Sequence, residues 1–139
     1  MKLVLLEYVQ NDLPSGFTPY RIFSIQVHHV EVGKIVLRDG SDQEHYFDGH
    51  IGYTIDEEYR GHHYAYEACL LLQDYIERDH VIITCDPDNT PSLKTIEKLG
   101  SVYMESKVIP THLKKMFTPE EKVKRIYQWN IDHRKEARE

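Results

Sequence analysis

The spacing of the apolar residues changes after about residue 56, and this change limits the fold more than any other feature of the sequence. Before it, the apolar residues fall into four short runs separated by turn residues, a pattern typical of β-strands. From His62 to about Glu77 they recur every three or four residues, as in a helix packed along one face. Four strands in succession before any helix predict an antiparallel meander.

The remaining chain adds strands and one more helix. Thr90 and Pro91 form a helix-start signal, with Thr90 as the predicted N-cap, and Gly100 ends that helix. A strand that follows the first helix is expected to run parallel to the fourth strand, across a right-handed crossover. The sequence therefore predicts an α+β (α/β) fold, a mixed and mostly antiparallel sheet with a central parallel strand pair and two main helices. The predicted strands are 2–9, 20–27, 30–37, 46–55, 81–84, 101–108 and 123–131.

Length and charge exclude several classes of protein. A chain of 139 residues has room for one core, which we assign to residues 1–131, followed by a charged tail at 132–139. A net charge of -6 argues against a nucleic-acid partner. Its apolar runs are too short to cross a membrane and its start is unlike a signal peptide, so we expect a cytoplasmic protein. Cys69 and Cys85 are expected to be reduced, buried thiols.

Two segments turn from a strand into a helix N-terminus, and these carry the chemistry. The first is 52–65 and the second is 85–100. Helix N-termini present unpaired N–H groups and the positive end of a dipole, so they can bind a diphosphate without many cationic side chains. Small residues there allow phosphates to approach the backbone.

The first segment resembles the phosphate-binding motif of the GNAT acetyltransferase superfamily. That motif reads Arg or Gln, two residues, Gly, one residue, then Gly or Ala, and Arg60, His63 and Ala65 stand at those positions. His63 replaces the usual glycine, so a side chain would lie beside the diphosphate.

The second segment is similar to a later motif of the same superfamily. It has the run Asp-Pro-Asp-Asn at 86–89, Ser92 three residues on, and Glu-Lys-Leu-Gly at the helix end. This form is most similar to the branch that contains the ribosomal-protein N-terminal acetyltransferases. GNAT domains commonly place helices between their first two strands, but here only 10–19 separate the strands, so these helices are expected to be largely missing.

The resemblance implies an acetyl-CoA-dependent N-acetyltransferase. Acetyl-CoA would lie where the fourth and fifth strands splay apart, and an amine acceptor would attack the thioester directly. Many relatives use a tyrosine of the second helix to protonate the departing thiolate, but Ile96 stands there, which makes Ser92 the candidate donor and a first-turn capping serine its alternative. The residues implied to bind the cofactor are Tyr53, Thr54, Ile55, Arg60, Gly61, His62, His63, Tyr64, Ala65, Asn89 and Ser92.

A general base is harder to identify. His50 is a candidate, since imidazole can accept a proton near neutral pH, and strand alternation would put it on one face with Asp48 and Thr54. A histidine on the sheet surface with no catalytic role is the competing interpretation. The nine histidines show no spacing typical of a zinc site, so no metal is expected.

The acceptor follows from charge and from the short first connection. A pocket without walling helices is expected to be open unless a partner subunit or 110–122 covers it, and a homodimer is left open. Acidic residues near the third and fourth strands, Asp39, Asp42, Glu44 and Asp48, favour a cationic amine or a peptide N-terminus. A non-catalytic module that binds or senses acyl-CoA is the alternative, because the usual tyrosine and glycine are absent.

Overall fold

The computed structural model describes residues 1–133, so six residues of the predicted tail, 134–139, lie outside the described residues. Within this described part of the chain, two antiparallel sheets contain the seven strands, one in the order β1-β2-β3-β4 and the other in the order β5-β7-β6. The strands are β1 Lys2–Val9, β2 Tyr20–Val27, β3 Val30–Arg38, β4 Ile51–Ile55, β5 His80–Cys85, β6 Val102–Val108 and β7 Val123–Asn130.

Two helices connect and cover the sheets. Helix α1 is Tyr64–Leu72 and helix α2 is Thr90–Lys98. Helix α1 buries a stripe at three- and four-residue steps, and it packs against β1 and β4, while α2 packs against β5 and α1. The buried stripe of α1 is Ala65, Ala68, Cys69 and Leu72.

One apolar core joins both sheets and both helices. Both sheets contribute side chains that are less than 4% exposed, so the two sheets share a single interior. The predicted α+β class with two main helices and a mostly antiparallel sheet is confirmed. Members of this core include Phe23, Ile25, Ile35, Leu72, Val81, Ile83, Ile96 and Trp129.

The fourth strand begins five residues later than the sequence predicts. Residues 42–48 form successive turns, in which the Ser41 hydroxyl accepts the Glu44 N–H and the Glu44 carboxylate accepts the Ser41 N–H. Gly49 N–H then bonds the His45 carbonyl at 2.8 Å, and Gly49 has a φ of +77°, which reverses the chain. The local side-chain hydrogen bonds outweigh the apolar pattern of 46–50, so β4 is only five residues long.

Both helices start within two residues of the predicted positions, but the first helix ends earlier than predicted. Helix α1 ends at Leu72 and continues as a 3-10 turn, Gln73–Tyr75, so it is shorter than the predicted 62–77. The N-cap of α2 is Asn89, not Thr90, because the Asn89 side chain accepts the Ser92 N–H at 3.3 Å. Pro91 lies in the first turn, where its missing N–H costs nothing.

The connection between β1 and β2 contains no helix in this fully described stretch, 10–19. A 3-10 helix that the sequence analysis did not anticipate, Thr111–Met116, lies between β6 and β7. Both segments lie at the same side of the molecule, because residues of each line one cleft. No helix in the described chain is long and apolar enough to cross a membrane.

Candidate active site

The two sheets meet where β4 and β5 lie side by side and then part. The His50 N–H bonds the Ile82 carbonyl at 2.8 Å, and the Thr84 hydroxyl donates to the Phe47 carbonyl at 3.0 Å. Beyond this junction β4 pairs with β3 and β5 pairs with β7, and no ladder between β4 and β5 is found within residues 1–133. The predicted central strand pair, β4 and β5, is therefore in contact at one end and separated by a gap at the other.

The His50 imidazole holds this junction together. Its Nδ1 accepts the Ile82 N–H at 2.9 Å, so the proton sits on Nε2, which donates to the Gly40 carbonyl at 3.0 Å. The ring thus serves Ile82 as a backbone carbonyl of a neighbouring strand would. Burial lowers the pKa of His50 to about 4, and the nearby Arg78 guanidinium acts in the same direction.

His50 does not meet the cleft. Its side chain is fully buried, and both ring nitrogens are engaged in the junction. It precedes β4 and does not lie in it, so the predicted alternation with Asp48 and Thr54 does not apply. The geometry gives His50 a structural role in place of the one expected for a general base.

A cleft of about 850 Å³ opens where the strands part. Its walls come from the β1–β2 connection, from β3 and β4, from the end of β5 with the start of α2, and from the segment before β7. Of the residues singled out from the sequence, Tyr53, Asn89 and Ser92 line it together. The full lining is Pro14, Ser15, Phe17, Arg38, Asp48, Ile51, Gly52, Tyr53, Thr84, Cys85, Asp86, Asn89, Ser92, Lys115, Met116, Phe117, Glu121 and Lys124.

A hydrogen bond between Tyr53 and Ser92 crosses from the strand wall to the helix wall. The phenol of Tyr53 donates to the Ser92 Oγ at 3.2 Å. The Ser92 N–H is held by the Asn89 side chain, so the first turn of α2 is fixed on both sides. Burial raises the pKa of Tyr53, which keeps the phenol protonated. Tyr53 was expected from the sequence to contribute its backbone, and no sequence signal pointed to this side-chain contact.

The start of α1 is open and uncapped by side chains in the described structure. His63 is the N-cap residue, with a left-handed backbone (φ +61°) and no capping hydrogen bond from its side chain. Gly61 also has a positive φ, +91°, and a Cβ added there would meet nothing within 4 Å. His62 and Tyr64 stack with their ring centroids 5.2 Å apart, while Ala65 is buried against the core.

The end of β4 is tied to this turn. Arg60 Nε donates to the Ile55 carbonyl at 2.9 Å, so Arg60 folds back along the strand. Thr54 is exposed and Ile55 is half-buried. Neither lines the cleft, so the strand wall of the cleft ends at Tyr53.

A buried lysine organises the opposite wall. Lys124 is 7% exposed, and its Nζ lies 2.7 Å from Asp86 Oδ1 and 2.6 Å from Glu121 Oε2. These contacts raise the pKa of Lys124 against the desolvation that burial brings, and they lower the pKa of Glu121. The sequence carried no signal of this triad, since Asp86 and Lys124 are far apart in the chain and only the pairing of the strands brings them together.

The two cysteines are free and buried. Cys85 lines the cleft, and burial raises its pKa to about 11, which leaves the thiol protonated and a poor nucleophile. Within residues 1–133 no cluster of His, Cys, Asp or Glu has the arrangement of a metal site.

Solved structures share this fold at low sequence identity. The ribosomal L7/L12 α-N-protein acetyltransferase RimL, solved in complex with coenzyme A, has a TM-score of 0.62 and 16% identity over 81% of this chain and 63% of its own. The microcin C7 self-immunity acetyltransferase MccE, solved with acetyl-CoA and AMP, has a TM-score of 0.60 and 20% identity, and the match covers 81% of this chain and 61% of MccE. A GNAT-family acetyltransferase from Bacillus anthracis has a TM-score of 0.58 and 23% identity, and the match covers 78% of this chain and 65% of that protein.

The chain is shorter than these proteins and spans less than two-thirds of the length of each. A search of curated protein sequences gave no significant match. The family model described as the acetyltransferase (GNAT) domain, in contrast, matches residues 6–102. Because that match spans more than half of the sequence, the chain belongs to the GNAT acetyltransferase family.

Proposed function

We propose that this protein is an acetyl-CoA-dependent N-acetyltransferase that transfers the acetyl group to a primary amine in a ternary complex. The observation that carries the proposal is the cleft between the diverging strands β4 and β5, with the start of α2 on one side and Tyr53 on the other. Membership of the GNAT family gives this cleft its chemistry. Two structural neighbours were solved with CoA or acetyl-CoA.

The open start of α1 suits the diphosphate of the cofactor. Its unpaired N–H groups and helix dipole attract an anion, and Gly61 before it has no side chain and open space around it. In this proposal the diphosphate is held by Arg60, Gly61, His62, His63, Tyr64 and Ala65.

The pantetheine arm would lie along the free edge of β4. Backbone groups of Tyr53, Thr54 and Ile55 would pair with it as an added strand does. The Ile55 carbonyl already accepts the Arg60 guanidinium, so cofactor binding at this point replaces or shares that contact. Asn89 and Ser92 face the arm from α2.

The reaction needs few protein groups. The neutral amine attacks the thioester carbonyl, the new N–C bond forms, and the C–S electron pair leaves with sulfur, which takes a proton that we assign to the Ser92 hydroxyl. The amine loses its own proton to solvent. Holding the two reactants together in the cleft supplies most of the acceleration.

The acceptor we propose is a cationic small amine or a peptide N-terminus. The net charge of the protein is -6, so its field draws a cation toward the cleft, although the basic and acidic side chains of the cleft lining balance each other. The acidic residues named from the sequence contribute less than expected, since each has partners of its own. Asp39 contacts Tyr8 and Arg21, Asp42 contacts Arg78 and His80, Glu44 contacts Ser41, and Asp48 contacts His45 and Arg38.

A non-catalytic acyl-CoA-binding or sensing module is the second candidate. It is favoured by Ile96, which is fully buried at the position where relatives use a tyrosine, and by His63 in place of glycine. The proposal further includes one domain over 1–131, a cytoplasmic location, and a homodimer as an open alternative to a monomer.

One experiment separates the two candidates. The protein is incubated with acetyl-CoA and, in turn, polyamines, aminoglycosides, amino acids and peptides with free N-termini, and thiol release is followed together with the mass of the amine. An acetylated amine that accumulates in step with free CoA supports the enzyme. Saturable acetyl-CoA binding without thiol release across this panel would support the binding module instead.

A further inference from the structure

The contact between Tyr53 and Ser92 joins two parts of the fold that are otherwise separated by the cleft. Tyr53 is the third residue of β4 and Ser92 lies in the first turn of α2. Both side chains line the cleft, and the distance between their oxygens is 3.2 Å. The Tyr53 ring packs on the apolar core, so its hydroxyl is presented from a fixed base.

We propose that Tyr53 is a positioning residue for Ser92, which it orients so that the serine proton points into the cleft. This inference rests on the proposed acetyl transfer. A neutral phenol has one proton to donate, and here it goes to the Ser92 oxygen. The serine oxygen is then occupied as an acceptor, and its own proton is free to donate to the departing sulfur.

Without Tyr53 the serine would have a competing partner. First-turn serines commonly turn their hydroxyl toward their own backbone, which directs the proton away from a ligand. The Asn89 side chain fixes the Ser92 backbone N–H but leaves the hydroxyl rotor free. The Tyr53 contact is therefore the interaction that selects the rotor.

The proton flow balances in this arrangement. As the C–S bond breaks, sulfur takes the Ser92 proton, and the serine oxygen takes the Tyr53 proton along the existing hydrogen bond. The proton that the attacking amine gives up to solvent is matched by one that solvent returns to Tyr53. The products are the amide and CoA thiol, with no net change in the enzyme.

The test is a double-mutant cycle in steady-state turnover with acetyl-CoA and an amine that the wild-type protein acetylates. Tyr53→Phe removes only the hydroxyl and keeps the ring that packs on the core. We expect it to lower kcat about tenfold, the size of one lost hydrogen bond in the transition state, with an unchanged KM and Kd for acetyl-CoA.

The coupling between Tyr53 and Ser92 in kcat is the measurement that a purely structural role of Tyr53 would not affect. Ser92→Ala should lower kcat by a similar factor, and the double variant should be no slower than Ser92→Ala alone. Ser92→Thr, which restores a hydroxyl, should recover turnover only when Tyr53 is present. Tyr75→Phe is the matched control, because the Tyr75 ring contacts Phe23 of the core and lies outside the cleft lining, and its turnover should equal that of the wild type.

Each other outcome overturns the inference. Wild-type turnover in Tyr53→Phe, or losses that multiply in the double variant, would show that Tyr53 does not act through Ser92. A rise in the Kd for acetyl-CoA with unchanged kcat would give Tyr53 a binding role. A wild-type protein that acetylates no amine contradicts the proposed function itself, so the two failures are distinguishable. Thermal melts of all variants exclude loss of fold as the cause.

Discussion

At the scale of single residues, His63 sets the start of α1 through its backbone, and His50 sets the junction of β4 and β5 through its side chain. His63 adopts the left-handed backbone that glycine takes without cost, which gives a physical reason for the usual glycine at this position. His50 gives its imidazole to a backbone N–H of β5. The sequence pointed to His63 as a departure from the motif and to His50 as a candidate base, but it could not show that the His50 ring is buried and that His63 is exposed.

Replacing His63 with glycine should stabilise the protein slightly. Relief of the left-handed backbone outweighs the extra freedom of glycine in the unfolded chain, so we expect a gain of about 0.5 kcal/mol in the free energy of unfolding. His62→Gly is the matched control, because His62 has no positive φ and should only lose about 0.5 kcal/mol. Urea denaturation of the three proteins measures both values, and equal losses in the two variants would contradict the strain argument.

The buried His50 should make the protein less stable as the pH falls from 6.5 to 4. The unfolded chain takes up a proton near pH 6.5 and the folded chain only near pH 4, so protonation favours unfolding between these values. This difference in pKa corresponds to a loss of about 3 kcal/mol in the free energy of unfolding. Well above pH 6.5 the imidazole is neutral in both states, so His50 does not contribute to the pH dependence there.

His50→Asn isolates this effect. The asparagine Oδ1 can still accept the Ile82 N–H, but it does not titrate, and the ionisable neighbours His45, Arg78 and Asp42 are the same in both proteins. The variant should be less stable at pH 7 but lose about 3 kcal/mol less between pH 6.5 and pH 4. Parallel pH profiles for the two proteins would show that His50 is not held neutral by burial.

At the scale of elements, the strand bounds were predictable wherever apolar alternation met clear turn residues. β1 and β2 have the predicted ends. The predicted start of β4 was wrong, because the paired hydrogen bonds of Ser41 and Glu44 and the positive φ of Gly49 form turns where the apolar pattern predicts a strand. The N-cap of α2 moved by one residue for a similar reason, since Asn89 captures the Ser92 N–H. Local side-chain hydrogen bonds of this kind are not visible in an apolar pattern.

The close approach of β3 and β4 gives an element-scale prediction. A Cβ added at Gly33 would lie 2.2 Å from the Thr54 carbonyl oxygen, so Gly33→Ala must push β4 away from β3. β4 is the strand that is proposed to bind the pantetheine. We expect a loss of about 2–3 kcal/mol in stability and weaker acetyl-CoA binding.

Gly52→Ala is the matched control in the neighbouring strand. The nearest atom to a Cβ there is the end of the Arg38 side chain, at 3.0 Å, which can move without disturbing the backbone. Its loss of stability should stay below about 1 kcal/mol. Equal melting temperatures for the two variants would show that the β3–β4 spacing is not what Gly33 protects.

At the scale of the whole molecule, family resemblance identified the cleft region, but its walls required the fold. Residues from 14 to 124 converge on it, and the buried Lys124 with its two carboxylates could not be inferred before β5 and β7 were known to pair. The lining contains three basic and three acidic side chains, so its own charges balance. Attraction of a cation must therefore come largely from the net charge of the protein.

This origin of the field predicts a moderate and salt-sensitive preference for cationic acceptors. At low salt, the acetylation rate should be higher for a cationic amine than for a matched anionic amine. The difference should shrink as added salt shortens the Debye length to about 8 Å. A preference for anionic amines, or a cationic preference that is indifferent to salt, would contradict the charge argument.

The most direct measurement of the central claim is a calorimetric titration of the protein with acetyl-CoA, repeated with His63→Glu. His63 is exposed at the N-cap of α1, so a carboxylate there would repel the proposed diphosphate without entering the core. The account predicts saturable binding to the wild-type protein and binding weakened at least tenfold in the variant, with both proteins folded. No saturable binding at millimolar acetyl-CoA, or equal affinity in the two proteins, would contradict it.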